Sequence, residues 1–258
     1  MFLRWIHKIE TSSLCNRSCS YCPNSDLGYE KGNMTMETFE RVLYWTALLN
    51  PQGQPNGERW LHLHGIGEPL LNPDIVEMVA KANEIRPTGF STNGDALTED
   101  LLKELVAAHV AYICISAHDA EVAEAGEALL KKYAFVHGLP PRPDVPWYMI
   151  QKKFNDNWAG QVDRENTSHK YHCSHLQSGG AMILWDGRIV TCCVDAQADP
   201  VLGSVYDDEI WQIDLAPIPL CADCRNNFYW KWSLLQTFHP TLRMKEKEEC
   251  FRKWLNRG

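Results

Sequence analysis

The sequence predicts an α/β protein: an incomplete parallel (β/α)6 barrel over residues 1–152, then a small domain of one β-hairpin plus a helix over residues 153–258. Three observations carry that expectation. From Arg4 to Ile150, short apolar runs of strand length alternate with segments of helical periodicity. Such alternation gives a parallel sheet with right-handed crossovers, and six units of it curl into an open barrel. After Ile150 the alternation stops, and the polar, irregular stretch from Gln151 to His172 reads as a connection. Beyond it, Asp186-Gly187 between two apolar runs is a strong two-residue hairpin signal.

Each element has a local reason. Arg4 to Thr11 carries Trp5 and Ile9 among alternating polar residues and reads as the first strand. A Thr35 cap with Glu37 in the first turn opens a helix on which Phe39, Val42, Leu43, Thr46 and Leu49 recur at helical spacing. Trp60 to His64 is the second strand; Pro73 starts a helix with Ile75, Val76, Val79 and Ala80 on one face, and Gly89 to Thr92 is the third strand. Leu101, Leu102, Leu105 and Val106 mark the next helix, and Tyr112 to Ser116 the fourth strand. Val122, Ala125, Gly126, Leu129, Leu130 and Tyr133 mark another helix, before short strands at Ala134–His137 and Trp147–Ile150. In the second domain Ala181–Trp185 and Arg188–Cys192 are the hairpin arms.

Directly behind the first strand stands Cys15-Asn-Arg-Ser-Cys19-Ser-Tyr-Cys22, three thiols in eight residues. Soft thiolates select zinc, copper(I) or iron–sulfur clusters. A closed zinc site uses four ligands in pairs, whereas gaps of three and then two residues suit one face of a cuboidal cluster and leave one iron open. Core or redox cysteines are the plainer alternative. The Cys-x3-Cys-x2-Cys run with Tyr21 before its third thiol resembles the signature loop of the radical S-adenosylmethionine (radical SAM) superfamily. That resemblance implies a SAM-binding [4Fe–4S] cluster on Cys15, Cys19 and Cys22, with Tyr21 beside it. SAM on the open iron would then yield a 5′-deoxyadenosyl radical that takes a substrate hydrogen atom, with a flavodoxin- or ferredoxin-type protein as electron donor.

In parallel α/β folds the working residues gather on loops at the carboxyl ends of strands. After the second strand, Gly65-Ile-Gly-Glu-Pro69 offers two glycines that let the backbone approach a ligand, and one carboxylate; an ordinary turn is the alternative. The resemblance aligns Ile66 to Pro69 with the family's Gly-Gly-Glu-Pro segment, so that Gly65, Gly67, Glu68 and Pro69 would surround the SAM amino group, with Ile66 departing from the usual first glycine. Ser91-Thr-Asn-Gly94 ends the third strand, where Ser91 and Asn93 can hydrogen-bond a ribose, as the resemblance also implies, or Asn-Gly makes a plain turn. Tyr112, Cys114 and Ser116 share one face of the fourth strand, with His118 at its carboxyl end. Ser116 is a further SAM-contact candidate, and Cys114 and His118 are candidate catalytic groups, although Cys114 reads first as a small buried hydrophobe.

Four thiols in the second domain, Cys173, Cys192, Cys221 and Cys224, can enclose either zinc or a second iron–sulfur cluster, and spacing does not choose between them. Cys173-x13-Gly187-x4-Cys192 followed by Cys221-x2-Cys224 resembles the opening of the SPASM auxiliary-cluster domain. The full domain continues with two further cysteines nearby, whereas here the next is Cys250. The truncated twitch type is therefore implied, with one auxiliary [4Fe–4S] cluster and a helical tail; Cys193 competes as ligand, but the Gly-x4-Cys register prefers Cys192. Length and layout are similar to the twitch-type aminocyclitol dehydrogenases. A closed cluster has no open iron, so its task would be to take an electron from the substrate radical during oxidation of a small polyol, amino sugar or nucleotide. The proton-accepting base would be His118, Asp195 or His172.

A chain of 258 residues with 45% hydrophobic content is ample for a core. Its net charge of −8 and pI near 5.7 argue against nucleic acid or an anionic membrane as partner. From Arg225 to Gly258 eight Lys/Arg face three Asp/Glu, a net +5 that leaves −13 on the rest and reads as a solvated helix face. No signal-peptide core follows Met1 and no apolar run approaches the ~18 residues of a membrane span, so the cytoplasm is expected. There, ten cysteines point to metal or catalysis rather than disulfides. Two other classes compete. A radical SAM peptide maturase or epimerase would need Cys114, Cys193 or Cys250 as hydrogen donor; peptide maturases often carry a leader-recognition domain, and here the barrel begins almost at Met1. A non-enzymatic zinc-binding module is the other.

Overall fold

Strand periodicity builds one sheet through the described residues. The computed structural model describes residues 2–49, 60–138, 145–152, 158–162, 173, 176, 178–222 and 224. Its strands are β1 (Trp5–Ile9), β2 (Leu61–His62), β3 (Thr88–Thr92), β4 (Tyr112–Ser116), β5 (Val136–His137), β6 (Trp147–Gln151), β7 (Gly180–Ile183), β8 (Arg188–Val190) and β9 (Val201–Ser204). They pair in the order β5-β6-β4-β3-β2-β1-β7-β8-β9, parallel from β5 through β7 and antiparallel thereafter. β5 and β9 are the two ends, so the sheet stays open, as an incomplete barrel requires.

The first four strands are each followed by a helix: α1 (Met36–Leu49), α2 (Ile75–Asn83), α3 (Glu99–Ala107) and α4 (Ala120–Lys132). The starts of α1, α3 and α4 are capped by side chains. Thr35 Oγ1 accepts from Thr38 N at 3.2 Å, Thr98 Oγ1 from Leu101 N at 3.2 Å, and Asp119 Oδ1 from Glu121 N at 2.9 Å. Caps of this kind contribute about 1 kcal/mol each. The buried face of α2 is Ile75, Met78, Val79 and Ala82, one helical stripe at i, i+3, i+4 and i+7. Ala80, expected on that face, is exposed, because apolar neighbours along the chain do not share a stripe.

The two faces of the sheet divide the chemistry. Ile6, Ile9, Leu61, Leu63, Phe90, Ile113 and Ile115 pack outward against Phe39, Val42, Met78, Leu102 and Leu130 of the helices. Each such side chain contributes about 1.5–3 kcal/mol on burial. On the other face the register sets Lys8 beside His62, His62 beside Gly89, and Ser91 beside Cys114. Lower in that face, Tyr112 stacks on Trp147 at 4.8 Å between centroids, Trp60 stands edge-on to both, and the Tyr112 hydroxyl bonds His62 Nδ1.

Three features differ from the sequence expectation. β6 lies against β4 and β5 takes the sheet edge, so the last two barrel strands are exchanged relative to chain order. The hairpin strands end sooner than expected, because Leu184 N donates to Arg188 O and Gly187 N to Leu184 O, which widens the turn. β9, with only two apolar residues, offered no strand signal; it pairs with β8 and extends the hairpin to three strands. The second part of the chain joins the barrel through β7, parallel to β1. His172, Cys250 and the basic tail from Arg225 lie outside the described residues. Among those described, no helix is long and apolar enough to cross a membrane.

Candidate active site

At the carboxyl ends of β1 to β4 lies a cavity of about 310 Å³. Cys15, Cys19 and Cys22 border it together with Tyr21, Gly65, Gly67, Glu68, Ser91, Asn93, Ser116 and His118, so most of the residues singled out in the sequence meet in one place. Pro69 and Cys114 are not in its lining. Pro69 begins a buried 3-10 turn, and Cys114 lies one register row below Ser116, beside the Ser91 hydroxyl. A larger hollow of about 720 Å³, bordered by Val106, Val110, Phe135 and Pro146, sits at the opposite ends of the strands and carries no thiol.

The two glycines of the Gly65–Pro69 segment serve packing first. A side chain at Gly67 would stand 2.3 Å from Ser12 O and 2.6 Å from the Ser13 backbone, and one at Gly65 would stand 2.4 Å from Glu10 Oε1. Their missing side chains therefore let this loop lie against the stem of the cysteine loop, and Glu68 N donates to Leu14 O at 2.7 Å across the join. Ile66 N donates to Glu10 Oε1 at 3.1 Å, so this backbone donor is engaged within the protein.

Glu10 and Asn24 were missed by that reading. Glu10 is fully buried at the end of β1, and its carboxyl accepts from Tyr29 Oη at 3.2 Å as well as from Ile66 N and the Trp185 backbone. Burial outweighs those donors and raises its pKa to about 7. Asn24 Nδ2 donates to Ser13 O at 2.9 Å, while its Oδ1 accepts from Lys31 Nζ at 2.8 Å. A lone acid closing an apolar strand and an amide two residues past the third thiol were the available signals.

Glu68 is also buried, yet it borders the cavity. Its Oε1 accepts from Leu70 N at 3.0 Å and Thr92 Oγ1 at 2.7 Å, and its Oε2 from Asn93 N at 2.7 Å. Burial raises its pKa, and these three donors oppose the rise. With roughly four lone-pair sites on a carboxylate, one remains for a cationic group in the cavity.

The segment after β3 pins the cysteine loop. Asn93 Nδ2 donates to Asn16 Oδ1 at 2.8 Å, Asn16 Nδ2 to Asp95 Oδ2 at 2.8 Å, and Arg17 Nε to the same oxygen at 2.6 Å. The Arg17 guanidinium in turn holds the Asp95 carboxyl below its ordinary pKa. Tyr21 Oη meets His118 Nδ1, and the two rings stack at 5.5 Å. Burial first, then Arg17, lowers the His118 pKa. Asp195, a candidate base, is buried and accepts from Gln197 N and Asp199 N at 3.0 Å, which ties it to its own loop.

The donor set at the first loop fits an iron–sulfur cluster. Three reduced, half-buried thiols share one cavity wall, and burial raises the pKa of Cys15 and of Cys22, a cost that a coordinated metal reverses by taking the thiolate outright. Cys173, Cys192, Cys221 and Cys224, far apart in the chain, are also gathered. Burial comes first in raising Cys173 to about 12, Cys221 to about 11 and Cys192 upward, and each also feels the charge of other thiols in the set. Among the described residues no three ligand side chains are drawn close enough to grip a single ion. Ligands of a cluster stand on separate irons and are spaced more widely. Cys193, adjacent to Cys192, borders the cavity instead.

Comparisons with known proteins agree with this layout. Residues 9–133 match the family model described as the Radical SAM superfamily. The S-adenosyl-L-methionine-dependent 2-deoxy-scyllo-inosamine dehydrogenase of Niallia circulans is 30% identical over 215 residues, covering 80% of this chain and 82% of the relative. A tungsten-containing aldehyde ferredoxin oxidoreductase cofactor-modifying protein of Pyrococcus furiosus is 34% identical over 101 residues, covering 38% of this chain and 26% of that protein. In fold the chain is similar to the crystal structure of BtrN in complex with AdoMet and 2-DOIA, at a TM-score of 0.61 and 23% identity, covering 83% of this chain and 84% of that one. With three thiols, a buried acid and a clasped glycine loop meeting at the carboxyl ends of a parallel sheet, and a relative matched along most of its length, the chain belongs to the radical SAM superfamily.

Proposed function

We propose that this radical SAM enzyme is an oxidoreductase that removes hydrogen from a small polyol, amino sugar or nucleotide, and that its second thiol set would hold an auxiliary [4Fe–4S] cluster, which would supply the electron acceptor. Family membership brings the first [4Fe–4S] cluster and SAM, which together supply a hydrogen-abstracting 5′-deoxyadenosyl radical. Cys15, Cys19 and Cys22 hold that cluster, and Glu68 accepts from the SAM ammonium on its remaining lone pair. Gly65, Gly67, Ser91, Asn93 and Ser116 line the space for the rest of SAM, with Tyr21 beside the cluster. His118, kept neutral by burial and by Arg17, takes the proton released from a substrate hydroxyl or amine as the substrate is oxidised. Residues 153–258 are read as the twitch-type unit, with Cys173, Cys192, Cys221 and Cys224 as its ligands. A flavodoxin- or ferredoxin-type donor would reduce the first cluster.

The observation that carries this reading is the second thiol set, gathered from residues 173 to 224 and reaching the cavity wall through Cys193. The dehydrogenase name of the Niallia relative supports it. In the double variant Cys221→Ala/Cys224→Ala, iron should fall by about half, deoxyadenosine formation should persist and product should vanish. Full iron content in that variant, with an unchanged circular dichroism spectrum, would remove these thiols from the ligand set.

A further inference from the structure

The cavity wall contains a cation to which the function proposed above gives no role. Lys8 lies on β1, pairs in register with His62, and is half-buried on the face that lines the cavity together with His64, Ser91, Ser116 and Gln151. The nearby carboxylates accept from other groups: Glu68 from Leu70 N, Thr92 and Asn93 N, with its remaining lone pair assigned above to the SAM ammonium, Asp95 from Arg17 and Asn16, and Glu10 from Tyr29 and Ile66 N. Lys8 forms no ion pair among the described residues. An ammonium drawn partly out of water without a counter-charge is costly, and an anion supplied by a ligand offsets that cost.

The groups around Lys8 are donors as well. Ser91 N donates to His64 Nδ1 at 3.2 Å, so the ring, when neutral, carries its hydrogen on Nε2. Burial, and then the charge of Lys8, hold His64 in that neutral form. The wall thus offers one full positive charge, an imidazole N–H and the hydroxyls of Ser91 and Ser116.

We propose that the substrate carries an anionic group, a carboxylate or a phosphate, and that Lys8 binds it with His64 Nε2–H as an accessory donor. The inference deepens the function proposed above and rests on reading this cavity as the substrate chamber. It does not depend on the auxiliary cluster: binding is scored without turnover, so failure of substrate oxidation and failure of anion recognition are separate results.

The test uses the full chain, reconstituted with iron and sulfide and loaded with SAM, in titration calorimetry against four probes on one hexose frame: glucose, glucosamine, glucuronate and glucose 6-phosphate. At least one anionic probe should bind about tenfold or more tightly than glucose, which is the size of one charge-assisted hydrogen bond. Glucuronate against glucose 6-phosphate tells carboxylate from phosphate. Lys8→Met should remove the advantage and Lys8→Arg should keep it, with Lys8→Gln as a second neutral variant if the methionine variant does not fold. Equal binding of anionic and neutral probes, preference for glucosamine, no binding of either anion, or an anion preference that survives loss of the Lys8 charge would each overturn the proposal.

Discussion

Cys15, Cys19 and Cys22 stand half-buried around a cavity, with an acid, two hydroxyls and a histidine facing them across it. Cys173 and Cys221 pack against the apolar core, and burial drives their pKa values to about 12 and about 11. Both sets offer soft sulfur donors to iron. They differ in surroundings: the first borders a cavity with room for a further ligand, whereas none of the second four lines that cavity and two of them pack on the core. On the function proposed above, one type of ligand chemistry serves two tasks, one open to SAM and one confined to electron transfer, with the surroundings deciding which.

The largest effect should come from destroying the open set. Cys15→Ala/Cys19→Ala/Cys22→Ala should abolish deoxyadenosine formation completely while iron at the other set remains, as chromatography of the nucleoside and iron analysis would show. Retained SAM cleavage in that variant would break the division of labour outright.

Next is Glu10, which ties β1 to the loop at Ile66 and to the hairpin backbone at Trp185. Its carboxyl pKa is raised from 4.5 to about 7, so between those values the folded protein keeps a proton that the unfolded chain releases. The stabilisation is complete below pH 4.5 and is lost as pH rises through about 7, by on the order of 3 kcal/mol. Glu10→Gln cannot titrate, so urea unfolding at pH 5 and pH 8 should show this loss in the wild-type protein and not in the variant. Equal pH dependence in the two would place the ionisation elsewhere.

Glu68→Gln keeps the shape of the side chain and removes the charge. The loss of a charge-assisted bond, about 1.5–3 kcal/mol, should weaken SAM binding by roughly one to two decades in equilibrium dialysis. Smallest is Trp158→Phe, which deletes the bond from Trp158 Nε1 to Tyr21 O at 2.9 Å. That bond links the connecting segment to the cysteine loop and is worth about 1 kcal/mol, so the melting temperature should fall by about 2–4 °C with SAM cleavage retained.

Much of the site was legible because its chemistry is local in sequence. Three thiols within eight residues, a carboxylate after two glycines and an Asn-Gly at a strand end each sit on one loop, and the parallel sheet brings such loops to the same edge. The fold class followed from strand–helix alternation, which period and length encode directly. What the sequence hid depends on register. Whether Lys8 faces the lumen, whether Glu10 lies beneath Gly65, and that β6 reaches β4 before β5 are settled by cross-strand partners 35 or more positions away. The packing role of the glycines was hidden for the same reason: a loop that approaches a ligand and one that approaches another loop look alike until the neighbour is known.

The central claim is that one set of thiols leaves its iron open to SAM and the other does not. Electron paramagnetic resonance of the dithionite-reduced protein, recorded without and then with SAM, tests this directly. Two overlapping cluster signals are expected, one of which shifts when SAM is added and disappears in the Cys15/Cys19/Cys22 variant while the other stays unchanged. A single signal wholly altered by SAM, or two that both shift, would contradict the account.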